Sequence, residues 1–399
     1  MPWFRFVEPY GTRLAAESNW IVFLMEREIF SPCADGRQWI PLVGIARATL
    51  CFLALLLPVG ETQFCFAADG DEPLSIEFVP PTSPAQSGRP VGERWTIYFN
   101  GRIDEGAAER FREELTRREI ESAAIFLNSR GGVLWQGLEL GSLIRQHGFS
   151  TYVGRQNERG STPLAGECYS ACVYAFIGGS YRFSVPQSRI GVHRFSSLSP
   201  TDADADTAQI VSAAIVNYIR KMEVDVGLFD RMSRAGKDQI LILAQADLEK
   251  LGVINNGRLS AEWAIGSLDG TTYLEGAQQT WLGQSKVRLS CDGGKVMFRP
   301  LFDAGDSAAA TVESVMQHLI RFGDGYSPLA DPLQPIAIQD GYVSAEFVLS
   351  RDQTMRLQNS ISVGYAARLG NPNIFAGFTV DTAGANVEKI RGFLKSCER

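Results

Sequence analysis

An α/β fold followed by a small β-rich α+β unit is what this sequence predicts, on three observations. Between Trp95 and Asn255, short apolar runs of strand character alternate with stretches of helical period, the pattern of a largely parallel sheet. After about Glu275 the runs become strand-like segments separated by Gly-rich turns, which reads as hairpins. Hydrophobic residues make up 45% of the 399, and the mean hydropathy is −0.05, so the chain buries a core and is neither disordered nor a multi-span membrane protein.

The elements follow in order. "WTIYFNG" is a strand ending at Asn100-Gly101, and Asp104 is placed to cap the helix "EGAAERFREELTRRE", with Ala108, Phe111 and Leu115 at helical spacing. "SAAIFLNS" is a buried strand. "RGGVLWQGLELGSLIRQHG" turns into a helix with Leu134, Leu138, Gly141 and Ile144 on one face, and "STYVG" is the next strand. The polar loop "RQNERGSTPLAGE" leads into "GECYSACVYAFIGG", and "YRFSVPQSRIGVHRF" is a strand-rich return. "SSLSPTDADADT" reads as a solvated loop, because it lacks the bend glycine and closing glutamate of an EF-hand. The helix "AQIVSAAIVNYIRKM" follows, and "KDQILILAQADLEKLGVIN" closes the domain with a helix and a short strand. Beyond it, "KVRLSCDGGKVMFRP" is a hairpin turning at Asp292-Gly293-Gly294, and "GYVSAEFVLS" and "SISVGYAARLG" are strands. "NVEKIRGFLKSC" is a terminal amphipathic helix, and His318 in "VESVMQHLIRFG" reads as an ordinary helix residue.

The N-terminus carries an address. Ala48 to Leu57 is an apolar run of ten residues after Arg37 and Arg47, and cleavage after Ala67 would leave small Cys65 and Ala67 at the two recognition positions. That is the layout of a secretory signal peptide, and the run is short for a span, which needs about 20 apolar residues. The alternative is an uncleaved anchor tethering the chain to a membrane; Met25 or a later start would shorten the preceding stretch. The expected organisation is an extension and signal over 1–67, a Pro/Ser/Gly-rich flexible linker over 68–93, a central domain over 94–262 and a C-terminal domain over 275–399. Net charge is −7 with pI 5.3 and no basic stripe, which argues against a nucleic-acid partner.

Export changes the reading of the seven cysteines. Cys33, Cys51 and Cys65 fall in the segment to be lost, leaving Cys168, Cys172, Cys291 and Cys397. An even number in an oxidising compartment points to disulfides. Local pairing, Cys168–Cys172 and Cys291–Cys397, is the simplest of the three arrangements and needs Cys168 to lie before its helix begins. There is no CxxC pair and only three histidines, His147, His193 and His318, so neither zinc nor a cofactor is expected.

Acyl-transfer chemistry needs a nucleophile, a base, an orienting acid and an oxyanion hole. Ser170 stands where a loop meets an apolar helix, which would expose its hydroxyl beside free backbone N–H groups; the ordinary alternative is a serine N-cap. His193 ends the apolar strand "SRIGVH", 23 residues on, where a structural histidine is the alternative. His147, beside Gly148, reads as a helix C-cap. Gly131-Gly132, between a strand and a helix, let backbone approach a substrate closely, or simply make a turn.

These segments, in this order, resemble the ClpP-type serine peptidases of the ClpP/crotonase superfamily, over about Trp95 to Asn255. The family's "NSPGG" is similar to Asn128-Ser129-Arg130-Gly131-Gly132, its nucleophile segment to Ser170-Ala171, and its return strand to Arg182 through His193. The resemblance is to an exported branch, and it implies a β-α-β superhelical domain. It also implies Ser170 as nucleophile, His193 as general base, Gly132 and Ala171 as oxyanion donors, and Asp238 as the acid. Asp238 sits about two residues out of register, with Asp230 and Asp225 as fallbacks. Arg130 replaces the family's proline, the loop before Ser170 is longer, and cysteines flank the nucleophile, where a Cys168–Cys172 bridge would tighten the turn or block the cleft. A Ser–Lys dyad finds no suitable lysine, since Lys221, Lys237 and Lys250 lie in polar surroundings.

The function implied is an exported, ATP-independent serine peptidase acting on peptides or unfolded protein. Self-association is implied too, since superfamily members commonly form trimers or rings. The alternative is an inactive scaffold of the same fold that binds peptides or an envelope protein. Crotonase-type acyl-CoA chemistry is a third reading, which has no need of Ser170 or His193.

Overall fold

A computed structural model describes residues 72–81, 94–195, 204–236, 239–303, 308–323, 325–339, 341–370 and 375–397. The segment read as a signal, with Ala48–Leu57 and Ala67, most of the expected linker, the polar insertion up to residue 203, and Asp238 lie outside the described residues.

The first part runs β1 (Ser75–Val79), β2 (Trp95–Asn100), α1 (Ala107–Arg117), β3 (Ala123–Asn128), α2 (Leu134–Gln146), β4 (Ser150–Val153), β5 (Glu167–Tyr169), α3 (Ala171–Ile177), β6 (Arg182–Ser184), β7 (Arg189–Val192), α4 (Asp204–Lys221), α5 (Gly227–Arg234), β8 (Leu241–Ile242) and α6 (Gln245–Lys250). β2, β3, β4 and β6 form a parallel sheet, edged by antiparallel β1. A smaller sheet, β5-β7-β8, pairs β5 with β7 in parallel and β7 with β8 antiparallel.

The burial pattern follows from covering both faces of the sheet. Ala108, Phe111 and Leu115 of α1 are buried, and Phe111 meets Phe99 of β2 edge-on at 5.0 Å. On the opposite face Tyr98, Phe126, Tyr152 and Phe183 lie in register on four adjacent strands and stack at 5.2, 4.7 and 4.7 Å. The strand spacing of about 4.8 Å is close to an aromatic stacking distance, so registered rings pack face to face. With both faces covered, β3 is buried from Ala123 to Leu127. Arg182 is the buried hub behind the sheet. It donates to the carbonyls of Gly179, Met222, Gly252 and Val253, and burial, with Arg145 nearby, lowers its pKa to about 10.

The second part holds β9 (Glu262–Leu268), β10 (Thr271–Thr280), β11 (Gly283–Asp292), β12 (Lys295–Asp303), α7 (Ala308–Ser314), β13 (Val315–Phe322), β14 (Gly325–Pro328), β15 (Ala337–Gln339), β16 (Tyr342–Ser344), β17 (Phe347–Val348), α8 (Arg351–Leu357), β18 (Ser362–Leu369), β19 (Phe375–Asp381) and α9 (Ala385–Ser396). Two antiparallel sheets, β15-β16-β12-β11-β10-β9 with β17 on β12, and β14-β13-β18-β19, enclose a second core. The hairpin turns at Gly293-Gly294, both with positive φ. Cys291 is bonded to Cys397, and Cys168 to Cys172, the local pairing. Arg258, between the two parts, is tied into the second by bonds to Gln278, Thr379 and Asp381.

Several expectations are corrected. Ser75–Val79, inside the stretch read as linker, is a strand, because Ile76 and Phe78 pack on the first core as β1 pairs with β2. The second part's sheet begins at Glu262, earlier than 275, since β9 pairs along β10. Helix α4 starts at Asp204, four residues before the apolar period begins. Asp104 does not cap α1; Gly106 holds that position, and Asp104 instead pairs with Arg110 and accepts the Leu74 amide. His318 lies on β13, not a helix: Val315–Phe322 pairs with β18, and that tertiary pairing overrides the local helical spacing.

Candidate active site

The site is built where β5 gives way to α3. Ser170 is the single residue between them, and it takes φ 55° and ψ −122°. A non-glycine residue in so sparse a region costs about 1–3 kcal/mol and persists only where its surroundings over-determine it. Four contacts do so. The Ser170 amide donates to the Gly191 carbonyl of β7 at 3.1 Å, and the Ser170 carbonyl accepts from Val173 at 3.0 Å. The Tyr169 amide donates to Ser129 at 3.0 Å, and the Ser129 amide donates to Glu167 at 2.7 Å, so the end of β3 is laced to the elbow. Ser170 holds the N-cap position of α3, but its side chain makes no capping bond, and its hydroxyl has no hydrogen-bond partner among the described residues.

Gly131 and Gly132 form the opposite wall. Gly131 has φ 101°, and a β-carbon there would stand 2.7 Å from Ser170 Cβ and from the Tyr169 carbonyl. The buried hydroxyl of Ser129 accepts the Gly131 amide at 3.1 Å and holds the turn. Gly132 has φ 142° and lies against the backbone of Ile103, which donates to Gly131 O and accepts from Val133 N. In a parallel bridge of this kind, the bridged residue's own N–H points away from its partner strand. The Gly132 amide therefore points away from Ile103. The Ala171 amide is the first of its helix and has no acceptor within it.

β5 and β7 run parallel with Tyr169 opposite Gly191, which places Ser170 and His193 at the same ends of neighbouring strands. His193 is half-buried, with Nδ1 2.9 Å from the Arg194 carbonyl. If Nδ1 carries the proton to that carbonyl, Nε2 is left as the basic nitrogen. The Arg194 amide in turn bonds Ala235 at 3.3 Å, so the end of α5 lies beside His193. Asp238 lies outside the described residues. The fallback acids are engaged elsewhere: Asp225 accepts the Gly227 amide, and Asp230 pairs with Arg234. His147 is the C-cap of α2 and stacks on Phe149, away from the site. Lys221 and Lys250 are exposed.

Sequence reasoning named Asn128 and Ser129 only as members of the segment similar to "NSPGG", without a role, and did not single out Gly191; the Asn128 side chain accepts the Glu167 amide at 3.0 Å. The signal for Asn128 and Ser129 was present in "FLNSRGG", a polar pair closing an apolar strand just before two glycines. Arg130 bridges to Glu167 at 3.3 Å along the rim. Burial, then Glu167, raises the pKa of the adjacent Tyr169 phenol, which stays protonated at neutral pH. Among the described residues no group of three or more His, Cys, Asp or Glu is arranged to hold a metal ion, and no helix is long and apolar enough to cross a membrane.

No family profile and no curated protein matches the chain. Among solved structures, it is similar to ClpP1 from Listeria monocytogenes at 17% identity and TM-score 0.31, over 40% of this chain and 88% of that one. A variant of that protein gives 18% identity with the same coverage and TM-score. The 1510-N membrane-bound stomatin-specific protease is similar at 18% identity and TM-score 0.30, over 40% of this chain and 75% of that one.

Proposed function

We propose that the chain is an exported ClpP-like serine peptidase that hydrolyses peptide bonds through an acyl-enzyme on Ser170. The observation that carries this reading is the Ser170 elbow. A serine held at φ 55° between a strand and a helix, with its hydroxyl uncommitted, is costly for a structural residue. In the proposed reaction Ser170 Oγ attacks the carbonyl carbon of the substrate and passes its proton to His193 Nε2. The Gly132 and Ala171 amides receive the oxyanion. His193 then protonates the leaving amine as the C–N bond breaks; a water molecule, deprotonated by His193, attacks the acyl carbon, the bond to Ser170 Oγ breaks, and His193 returns the proton to Oγ as the acid product leaves. Asp238 is the carboxylate proposed to pair with the imidazolium.

Export is part of the proposal, supported by the signal-like N-terminus and by two disulfides, which persist in oxidising compartments. ATP is not supplied there, so the substrates proposed are short peptides or unfolded segments, acted on without an unfoldase; a homo-oligomer is the assembly proposed. The second reading, a peptide-binding scaffold without catalysis, is favoured by one observation: Ser170 Oγ makes no bond to His193. Catalytic hydrogen bonds often tighten only when substrate binds, which places the peptidase first. Fluorophosphonate labelling of the oxidised chain separates the two. The peptidase predicts labelling that is lost in Ser170→Ala and His193→Ala. A folded chain that does not label leaves the scaffold.

A further inference from the structure

We propose that the Cys168–Cys172 disulfide is a positioning device for Ser170, so that nucleophilic competence depends on the oxidation of this pair; the inference rests on the peptidase reading. Cys168 lies on β5 and Cys172 in the first turn of α3, with Cα atoms 5.2 Å apart, and the bridge passes across the one strained residue between them. Both cysteines are fully buried in the first core. The elements they join are short, three residues of strand and seven of helix, and the bridge adds a covalent tie between their ends to the four backbone bonds at the elbow. The bridge closes a loop of only a few residues and therefore removes little chain entropy from the unfolded state. Its effect falls on local geometry: it keeps the end of β5 and the start of α3 from swinging apart, the motion by which Ser170 would relax to a negative φ.

The contrast with the other disulfide sharpens this. Cys291–Cys397 spans 106 positions and joins the hairpin of β11 to the end of α9, far along the chain from Ser170. It bears on the stability of the second part and touches nothing at the elbow. Closing the Cys168–Cys172 bridge oxidises two thiols, each giving up one proton and one electron. The co-reactant is a disulfide oxidant, which accepts two electrons and two protons and leaves as two thiols. A chain held reduced would carry the same residues with a slack elbow.

The test compares the oxidised full chain with Cys168→Ala/Cys172→Ala and with Cys291→Ala/Cys397→Ala, at a temperature where circular dichroism shows all three folded. Fluorophosphonate inactivation is measured over a range of probe concentrations, and amide hydrogen exchange is followed over residues 166–179. In the first variant, the maximal inactivation rate is expected to fall at least tenfold with half-saturation within twofold, and exchange is expected to rise in that segment alone. The second variant keeps the wild-type rate. Wild type reduced with a dithiol under mild denaturant and refolded reduced should match the first variant, and oxidised glutathione should restore it. An unchanged rate, or a fall in rate without faster exchange in that segment, overturns the proposal. If wild type itself does not label, the peptidase reading fails. The exchange comparison then decides by itself whether the bridge holds the elbow, and equal exchange in wild type and variant refutes that.

Discussion

Replacing Gly131 by alanine tests the elbow from its far side. At φ 101° an alanine lies outside the left-handed well, which costs about 1–3 kcal/mol. Its β-carbon would also stand 2.7 Å from Ser170 Cβ and the Tyr169 carbonyl and 3.0 Å from the Ala171 amide. Two of those three are backbone atoms, so no flexible side chain absorbs the contact, and overpacking adds about 1–3 kcal/mol. The sum is about 2–6 kcal/mol, borne by the few residues that hold Ser170 in place. Gly148→Ala is the control, because Gly148 also has positive φ, 66°, but nothing lies within 4 Å of a β-carbon there. It pays only the left-handed term of about 1–2 kcal/mol. Thermal unfolding and fluorophosphonate labelling of both variants are the assays. Gly131→Ala should lose at least 100-fold in labelling rate and unfold at a lower temperature than Gly148→Ala, which should label like wild type. Equal labelling by the two variants, with equal midpoints, would refute the claim that Gly131 and Ser170 are packed against each other.

Two further outcomes follow from the second part of the chain. The Cys291–Cys397 bridge closes a loop with a separation of 106, for which chain entropy gives about 5 kcal/mol, against about 2 kcal/mol for the short bridge. Cys291→Ala/Cys397→Ala should therefore lower the denaturant midpoint far more than Cys168→Ala/Cys172→Ala, with the reverse order refuting the loop-length argument. His318 is half-buried, with Nδ1 2.7 Å from the Tyr365 hydroxyl, and burial lowers its pKa while Asp331 pulls weakly the other way. The unfolded chain keeps a histidine pKa near 6.5, so below about pH 6.5 it binds a proton that the folded chain resists. Stability is thus retained above that pH and declines as pH falls below it. His318→Gln should flatten the decline between about pH 7 and pH 5 in urea unfolding; an unchanged slope would rule His318 out as its source.

Much of the first part was legible because its elements are local. The apolar run Ala123–Leu127 reads as a buried strand, and Ala108, Phe111 and Leu115 read as one helix face, because side-chain period reports burial without reference to a partner. The four cysteines from Cys168 onward, an even number, pointed to two bridges by chemistry alone. Composition misled where pairing mattered. Ser75–Val79 follows a polar, acidic lead-in and looked like linker, yet β2 offers it a free edge. His318 sits among residues at helical spacing, yet β18 recruits them into a sheet.

For the candidate site, the sequence by itself determined the parts: a serine between a loop and an apolar helix, a histidine at a strand end, and two glycines after a buried strand. Tertiary structure alone decided that β5 and β7 are neighbours, which brings Ser170 and His193 to one edge. It alone put Ser170 at φ 55°, a conformation that no serine prefers. Residue type sets which conformations are cheap. The dear one at Ser170 is imposed by bonds reaching in from Gly191 and Ser129, which lie 21 and 41 positions away in the chain and bear on it only once the sheets have formed.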